Sequence, residues 1–212
     1  MVLIGLISDV HAAPEPVAEA LSIFEKAGVV QVLCAGDIAC YMDKLEQTIK
    51  LLIENDCKTI MGNHDLQYLA KNKSELEGQF DDSSIEYLKK LPATYEAVIE
   101  GKRLYMVHAQ PPERSHGGIK LLDKNGELIV DNIEQWNETL SAFDYDVLVV
   151  GHTHQVFVEK IGGMLVINPG SSVFNHCCAI LRLPEMTVEL IPLSDKKIQK
   201  TWNWGEHVIY GK

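Results

Sequence analysis

Five apolar, strand-like segments of this chain run directly into short polar clusters rich in aspartate, histidine and asparagine. Ser8-Asp9-Val10-His11 follows Val2–Ile7, Gly36-Asp37 follows Val29–Leu33, and Gly62-Asn63-His64-Asp65 overlaps the end of Lys58–Met61. Val107-His108-Ala109 closes a segment that begins at Leu104, and Gly151-His152-Thr153-His154 follows Val147–Val150. In an α/β sheet the carboxyl ends of the strands form one rim, where residues far apart in sequence converge on a common site. Such a pattern demands a fold that brings several strand ends together.

The intervening segments supply the crossovers. Val17, Ala20, Leu21 and Phe24 are spaced three and four apart and predict an amphipathic helix ended by Gly28; Leu45, Ile49, Leu52 and Ile53 predict a second. With the strands around them they make a βαβαβ run, whose crossover connections require parallel strands. Helices are expected at about residues 64–72 and 82–91, then a hairpin from Tyr95–Ile99 and Leu104–His108. Residues 109–130 have weak periodicity and read as an irregular loop with a small hairpin. Ile133, Trp136, Leu140 and Phe143 restore helical spacing, and Gly162-Gly163 and Pro184-Glu185 punctuate further short strands. The second half is expected to be mostly antiparallel. One domain over 1–193 is expected, with a polar tail at 194–212 whose Trp202 and Trp204 would dock on the domain or lie at a subunit interface.

Charge narrows the partners. Nineteen basic against 30 acidic residues leave a net charge of −11, without a basic run, which argues against a grip on duplex nucleic acid. No segment reaches the ~18 apolar residues of a membrane span, and the apolar opening Met1–Ile7 is too short for a secretory h-region. Five cysteines in an odd set without CxxC spacing suit a reduced, cytoplasmic location, with Cys177 and Cys178 as packed thiols.

The clusters together would gather Asp9, Asp37 and Asp65, five imidazoles from His11, His64, His108, His152 and His154, and the Asn63 amide. Crowded carboxylates raise one another's pKa and clustered imidazoles resist protonation, and divalent cations relieve both conflicts. Mixed oxygen and nitrogen donors without thiolate suit Mn, Fe, Co, Ni or Zn better than Ca or Mg. Each cluster alone could be a turn or a helix cap. The ordered motifs DxH, GD, GNHD, H and GHTH, from Asp9 to His154, with Asn168-Pro169-Gly170-Ser171 beyond, resemble the calcineurin-like metallophosphoesterases, particularly their small bacterial and archaeal phosphodiesterase branch.

That resemblance implies a four-layer α/β (α+β) sandwich of two mixed β-sheets flanked by helices, and a dinuclear, manganese-favouring centre. Asp9, His11, Asp37 and His154 would hold one ion, and Asp37, Asn63, His108 and His152 the other, with Asp37 bridging. A hydroxide between the ions would attack phosphorus in line. His64 would serve as catalytic acid, Asp65 would orient it, and Asn63 and His64 would meet the substrate. With two divalent ions the site would carry about one net positive charge, attracting a small phosphoester to an otherwise acidic protein.

Departures inform the substrate. Protein phosphatases of the superfamily carry an arginine four residues after the GD aspartate; Tyr41 stands there, which favours diesters. The small-phosphodiesterase branch often has Gly-Tyr at this place, and Cys40 replaces the glycine. A phosphomonoesterase acting on a nucleotide or small metabolite is the alternative, and a non-catalytic scaffold like the retromer subunit that shares the fold is a third. Arg114, His116 and Lys120, after His108, could reach a substrate phosphate or form an ordinary solvated loop; His116, His176 and His207 receive no role.

Overall fold

The structure, a computed structural model, describes residues 1–75 and 82–202. Strand β1 (Val2–Ile7) leads to helix α1 (Pro14–Ala27), β2 (Gln31–Cys34), α2 (Leu45–Glu54) and β3 (Lys58–Thr59). Pro14 sits at the first turn of α1, where its missing N–H removes no hydrogen bond. Strands β1, β2 and β3 pair in parallel, as the crossovers require. The third strand is shorter than its apolar run because the Met61 N–H donates to Pro92 O at 2.8 Å and leaves the ladder.

Helices α3 (Asn63–Glu75) and α4 (Asp82–Lys89) precede the hairpin β4 (Thr94–Ile99) and β5 (Lys102–Val107). The stretch after β5 contains two isolated bridges, Gln110 with Arg114 and Leu122 with Leu128, the second being the expected small hairpin. Helix α5 (Val130–Leu140) then carries the chain to β6 (Val147–Val149), followed by β7 (Val156–Ile161), β8 (Met164–Pro169), β9 (Cys177–Leu183) and β10 (Thr187–Pro192).

Two five-stranded sheets result, in the orders β10-β9-β1-β2-β3 and β4-β5-β6-β8-β7. Both are mixed, and the second half is mostly antiparallel as expected, with β4 on β5, β7 on β8, β10 on β9 and β9 on β1 all antiparallel; the exceptions lie at β6. Strands β5 and β6 are parallel because α5 crosses between them, and β8 inserts beside β6 in parallel while pairing antiparallel with β7. Periodicity identifies a strand but not its neighbour. The chain then returns to the first sheet, where β9 lies antiparallel to β1.

The sheets face each other across an apolar layer that includes Leu6, Leu33, Ile60, Met106, Val149, Ile167 and Leu181. Helices α1, α2 and α4 cover the first sheet through Phe24, Leu52 and Leu88, and α5 with the 119–122 segment covers the second through Leu140, Ile119 and Leu121. These make the four layers. Each fully buried leucine or isoleucine contributes about 1.5–3 kcal/mol. Among the described residues no helix is long and apolar enough to cross a membrane. Cys177 and Cys178 are buried free thiols.

The tail is described as far as Trp202; Trp204 and His207 lie outside the described residues. Up to that point it packs along β7: Val156 N donates to Lys200 O at 2.8 Å, and Trp202 N donates to His154 O at 3.1 Å.

Candidate metal centre

The polar clusters sit where β1, β2, β3, β5 and β6 stop, and their backbones are laced together. Asp9 N donates to Gly36 O and His11 N to Asp37 O, each at 3.0 Å, while Gly151 N donates to His108 O at 2.8 Å. Asp9, His11, Asp37, His152 and His154 all have left-handed backbone, with φ of 50, 45, 56, 67 and 48°. Such conformations cost an L-residue about 1–3 kcal/mol each and persist where surrounding structure enforces them. Here they aim five side chains at one point.

Two groups form. Asp9, His11 and His154 offer donor atoms within 4.8 Å of one another, and so do Asp37, His108 and His152. In the first, His11 Nε2 and His154 Nε2 face each other at 3.1 Å, with Asp9 Oδ1 3.3 Å from His154 Nε2. In the second, Asp37 Oδ2 lies 3.4 Å from His108 Nε2. Asn63 Oδ1 lies 3.0 Å from His108 Nε2 and 2.7 Å from His152 Nδ1, so Asn63 joins this group as the sequence motif implies. Asp37 belongs by proximity to the second group, and its Oδ1 accepts the His64 N–H at 2.8 Å.

Ring tautomers follow from the outer contacts. His108 Nδ1 lies 2.7 Å from Ala35 O and His11 Nδ1 3.4 Å from Ala39 O. A carbonyl can only accept, so both rings carry a proton on Nδ1 and turn Nε2 inward.

Protonation matches a cation site. Burial opposes charge on Asp9, yet the hydrogen bond and charge of His154, with His108 and His11 behind it, hold the carboxyl far below the usual range. Asp37 is likewise buried and likewise lowered, chiefly by His108. Burial lowers His11 and His152 to about 4, His152 with help from the His108 charge. Burial also disfavours charged His108, but Asp37 and Asp9 outweigh it and push that ring up to about 9. At neutral pH the site thus presents the Asp9 and Asp37 carboxylates, neutral His11 and His152, and a His108 with one proton to shed. Buried donors converging from two sides fit divalent ions with mixed oxygen and nitrogen shells.

Close approach explains two of the glycines. A Cβ on Gly62 would lie 2.1 Å from Asp37 Oδ1, and one on Gly151 would lie 2.0 Å from Ser8 Oγ. Ser8 Oγ donates to Asp9 Oδ2 at 2.5 Å, and the His152 N–H approaches both Asp9 oxygens at 3.1 and 3.2 Å.

Asp65 takes a different place from the one the sequence suggested. Its fully buried carboxylate accepts four backbone N–H groups, from Asp37, Ile38, Ala39 and Gly62, at 2.8–3.1 Å. It therefore braces the turn that carries Asp37 and does not orient His64. Burial and the Asp37 charge push its carboxyl up to about 7 against the pull of those donors. His64 is half-buried, and its Nε2 lies 3.0 Å from the Tyr41 hydroxyl.

Several supporting residues were not legible as such. The segment crossing from β8 to β9 passes alongside the donors: Ser171 Oγ donates to Asp9 O at 2.6 Å, Asn168 Nδ2 to Gly151 O at 3.0 Å, and Asn175 Nδ2 to His154 O at 2.9 Å. Phe174 stacks on His154 and Trp202 on Phe174, with centroids 5.5 and 4.9 Å apart. Asn168-Pro169-Gly170-Ser171 signalled part of this; Phe174, Asn175 and Trp202 carry no local signal. In the loop after His108, Arg114 lines a cavity of about 160 Å³ with Met61, Leu66 and His108, whereas the exposed His116 ring lies 6.3 Å from that of His152. Lys120 is exposed, and His176 stands apart from both donor groups.

The calcineurin-like phosphoesterase superfamily domain matches residues 2–182. An uncharacterized protein of Methanocaldococcus jannaschii is 25% identical over 181 residues, covering 79% of this chain and 69% of its own. A hypothetical protein of Pyrococcus horikoshii superposes with TM-score 0.70 at 18% identity, covering 94% of this chain and 90% of its own. A structure described as a novel archaeal phosphodiesterase has TM-score 0.58 at 20% identity, covering 90% of this chain and 99% of its own. Fold, motif order and a donor set at the strand ends agree with the domain match, and the chain belongs to the calcineurin-like phosphoesterase superfamily.

Proposed function

We propose that this protein is a phosphodiesterase with a dinuclear centre, hydrolysing a small phosphoester. The observation that supports it most directly is the pair of buried donor groups, Asp9-His11-His154 and Asp37-Asn63-His108-His152, set side by side with His64 next to them. When bound, divalent ions supply Lewis acidity toward phosphoryl oxygens and an activated water. Asp37 Oδ2 faces His108, so Asp37 would hold the second ion, and the bridging role toward the first is the one the family resemblance implies for it.

The chain's own groups do the rest. His64 is held outside both donor groups, its ring centroid 5.4 Å from that of His11, within reach of a leaving oxygen that needs a proton. Asp65 holds the Asp37 turn rigid through its four N–H contacts. The neutral hydroxyl of Tyr41 stands where an arginine would grip a doubly charged monoester, so a singly charged diester is the better match. Mn²⁺ is the ion we favour from the mixed donor set, in a cytoplasmic single-domain protein with a docked tail.

Protein loaded in turn with Mn²⁺, Ni²⁺, Co²⁺ or Zn²⁺ is assayed on bis-p-nitrophenyl phosphate and p-nitrophenyl phosphate at matched concentrations. The expected result is a higher kcat/KM for the diester. A monoester preference would transfer the reading to a phosphomonoesterase, and no turnover by folded, metal-loaded protein would refute both.

A further inference from the structure

With Asp65 committed to backbone donors, the His64 ring needs another partner to fix its rotamer. Among the described residues that partner is the Tyr41 hydroxyl, 3.0 Å from Nε2. The Tyr41 ring lies edge-on to His64 and to His11, with centroids 4.7 and 4.6 Å apart, and edge-on to Phe174 at 5.8 Å. A side chain on an exposed loop is thereby held on three sides.

The backbone bears a cost to put it there. Cys40 and Tyr41 are successive non-glycine residues with φ of 73 and 69°, a left-handed pair worth about 1–2 kcal/mol of strain per residue. Met42 N donates to His11 O at 3.2 Å, Lys44 N to Ala12 O at 3.2 Å, and the Cys40 thiol to His64 O at 3.6 Å. The turn is pinned to the loop that carries His11 and to the backbone of His64 itself.

We infer that Tyr41 is a positioning residue for His64: its hydroxyl fixes the rotamer from which His64 serves the leaving oxygen. With Nε2 held by the Tyr41 oxygen, the proton given to the leaving oxygen is the one on Nδ1, and the Nε2–H donated to Tyr41 persists before and after that transfer. Tyr41 thereby fills the orienting role that the family resemblance implied for Asp65. The inference rests on the phosphodiesterase reading above for its catalytic consequence, but not for its geometry.

Tyr41→Phe keeps the ring and removes only the hydroxyl. In metal-loaded protein, kcat for a diester with an alkyl leaving group, which needs protonation, is expected to fall about 10- to 100-fold with little change in KM. The loss for a nitrophenolate leaving group should be at most about threefold, since that anion departs without a proton. In a His64→Ala background the further loss from Tyr41→Phe should be under about twofold on either substrate, because two residues acting as a unit are not additive. An equal loss on both leaving groups, or one that persists without His64, would overturn the inference in favour of a merely structural Tyr41.

A second measurement does not depend on turnover. In metal-free protein, the ring nitrogens of His64 are observed by ¹⁵N NMR in wild type and Tyr41→Phe. Loss of the hydroxyl should shift Nε2 and move the two nitrogens toward values averaged over tautomers; unchanged resonances would refute the inference. Wild type without phosphoesterase activity would sink the phosphodiesterase reading while this measurement still decides the role of Tyr41.

Discussion

Replacing Gly62 by alanine tests whether the donor geometry is held by close packing. The new Cβ would meet Asp37 Oδ1 at 2.1 Å and Asp37 N at 2.3 Å, against an ordinary contact of 3.4–4 Å. The Asp37 side chain must move by more than ~1 Å, and the backbone N cannot swing away as a flexible side-chain end could. Overpacking of this kind costs about 1–3 kcal/mol. Displacing Oδ1 also breaks its bond from the His64 N–H, a charge-assisted contact worth about 1.5–3 kcal/mol. Together they predict a destabilisation of about 2.5–6 kcal/mol in the metal-free protein. Because Asp37 is also a proposed ligand, a misplacement of about 1 Å should lower activity on the order of 100-fold. Urea unfolding in EDTA reads the first effect, and metal content with turnover on bis-p-nitrophenyl phosphate reads the second. Metal-free stability within about 1 kcal/mol of wild type, with wild-type metal content, would refute the reasoning.

Three further outcomes are expected. Metal binding should release a proton from His108, which stays protonated at neutral pH in the metal-free protein because its pKa is pushed up to about 9. Apparent affinity should therefore rise with pH and level off near pH 9; titration calorimetry in buffers of different ionisation enthalpy measures this, and pH-independent binding without proton release would contradict it. Asp37→Asn should lose metal from both donor groups, whereas His64→Ala should keep its metal and lose turnover about 100-fold or more; metal analysis distinguishes them, and equal depletion would undo the separation of roles. Asn175→Ala removes a buried side chain that accepts the Ser171 N–H at 2.8 Å and donates to His154 O and Gln199 O at 2.9 and 2.7 Å. It should cost about 2–5 kcal/mol in urea unfolding, and a change below about 1 kcal/mol would mean those contacts are dispensable.

The sequence was most informative where local chemistry repeats. Phe24 and Leu52 mark the buried faces of α1 and α2 by spacing alone, and both helices form there. Likewise Asp9, His11, Asp37, Asn63, His108, His152 and His154 stand at strand ends as a motif series, and the structure brings all seven together. It was least informative where a side chain has two equally polar uses. Asp65 follows His64, and the family resemblance implied that it orients the ring; only the folded chain shows four N–H groups of the neighbouring turn converging on its carboxylate. No spacing rule reports that a backbone donor lies nearby in space.

What the sequence by itself determined is therefore the set of elements and the inventory of donors, because helical and strand periodicity and ligand chemistry are properties of individual residues and their near neighbours. What the tertiary structure decided is which partner each element and each donor meets. Strands β5, β6 and β8 pair in parallel because α5 and the β7 hairpin carry the chain around, although each strand alone reads as suited to either direction. Tyr41, Phe174 and Trp202 join the site through loops whose left-handed turns and crossings are fixed by long-range backbone hydrogen bonds. Pairing and loop path are many-body consequences of packing two sheets face to face, and a linear pattern encodes the faces without naming what will cover them.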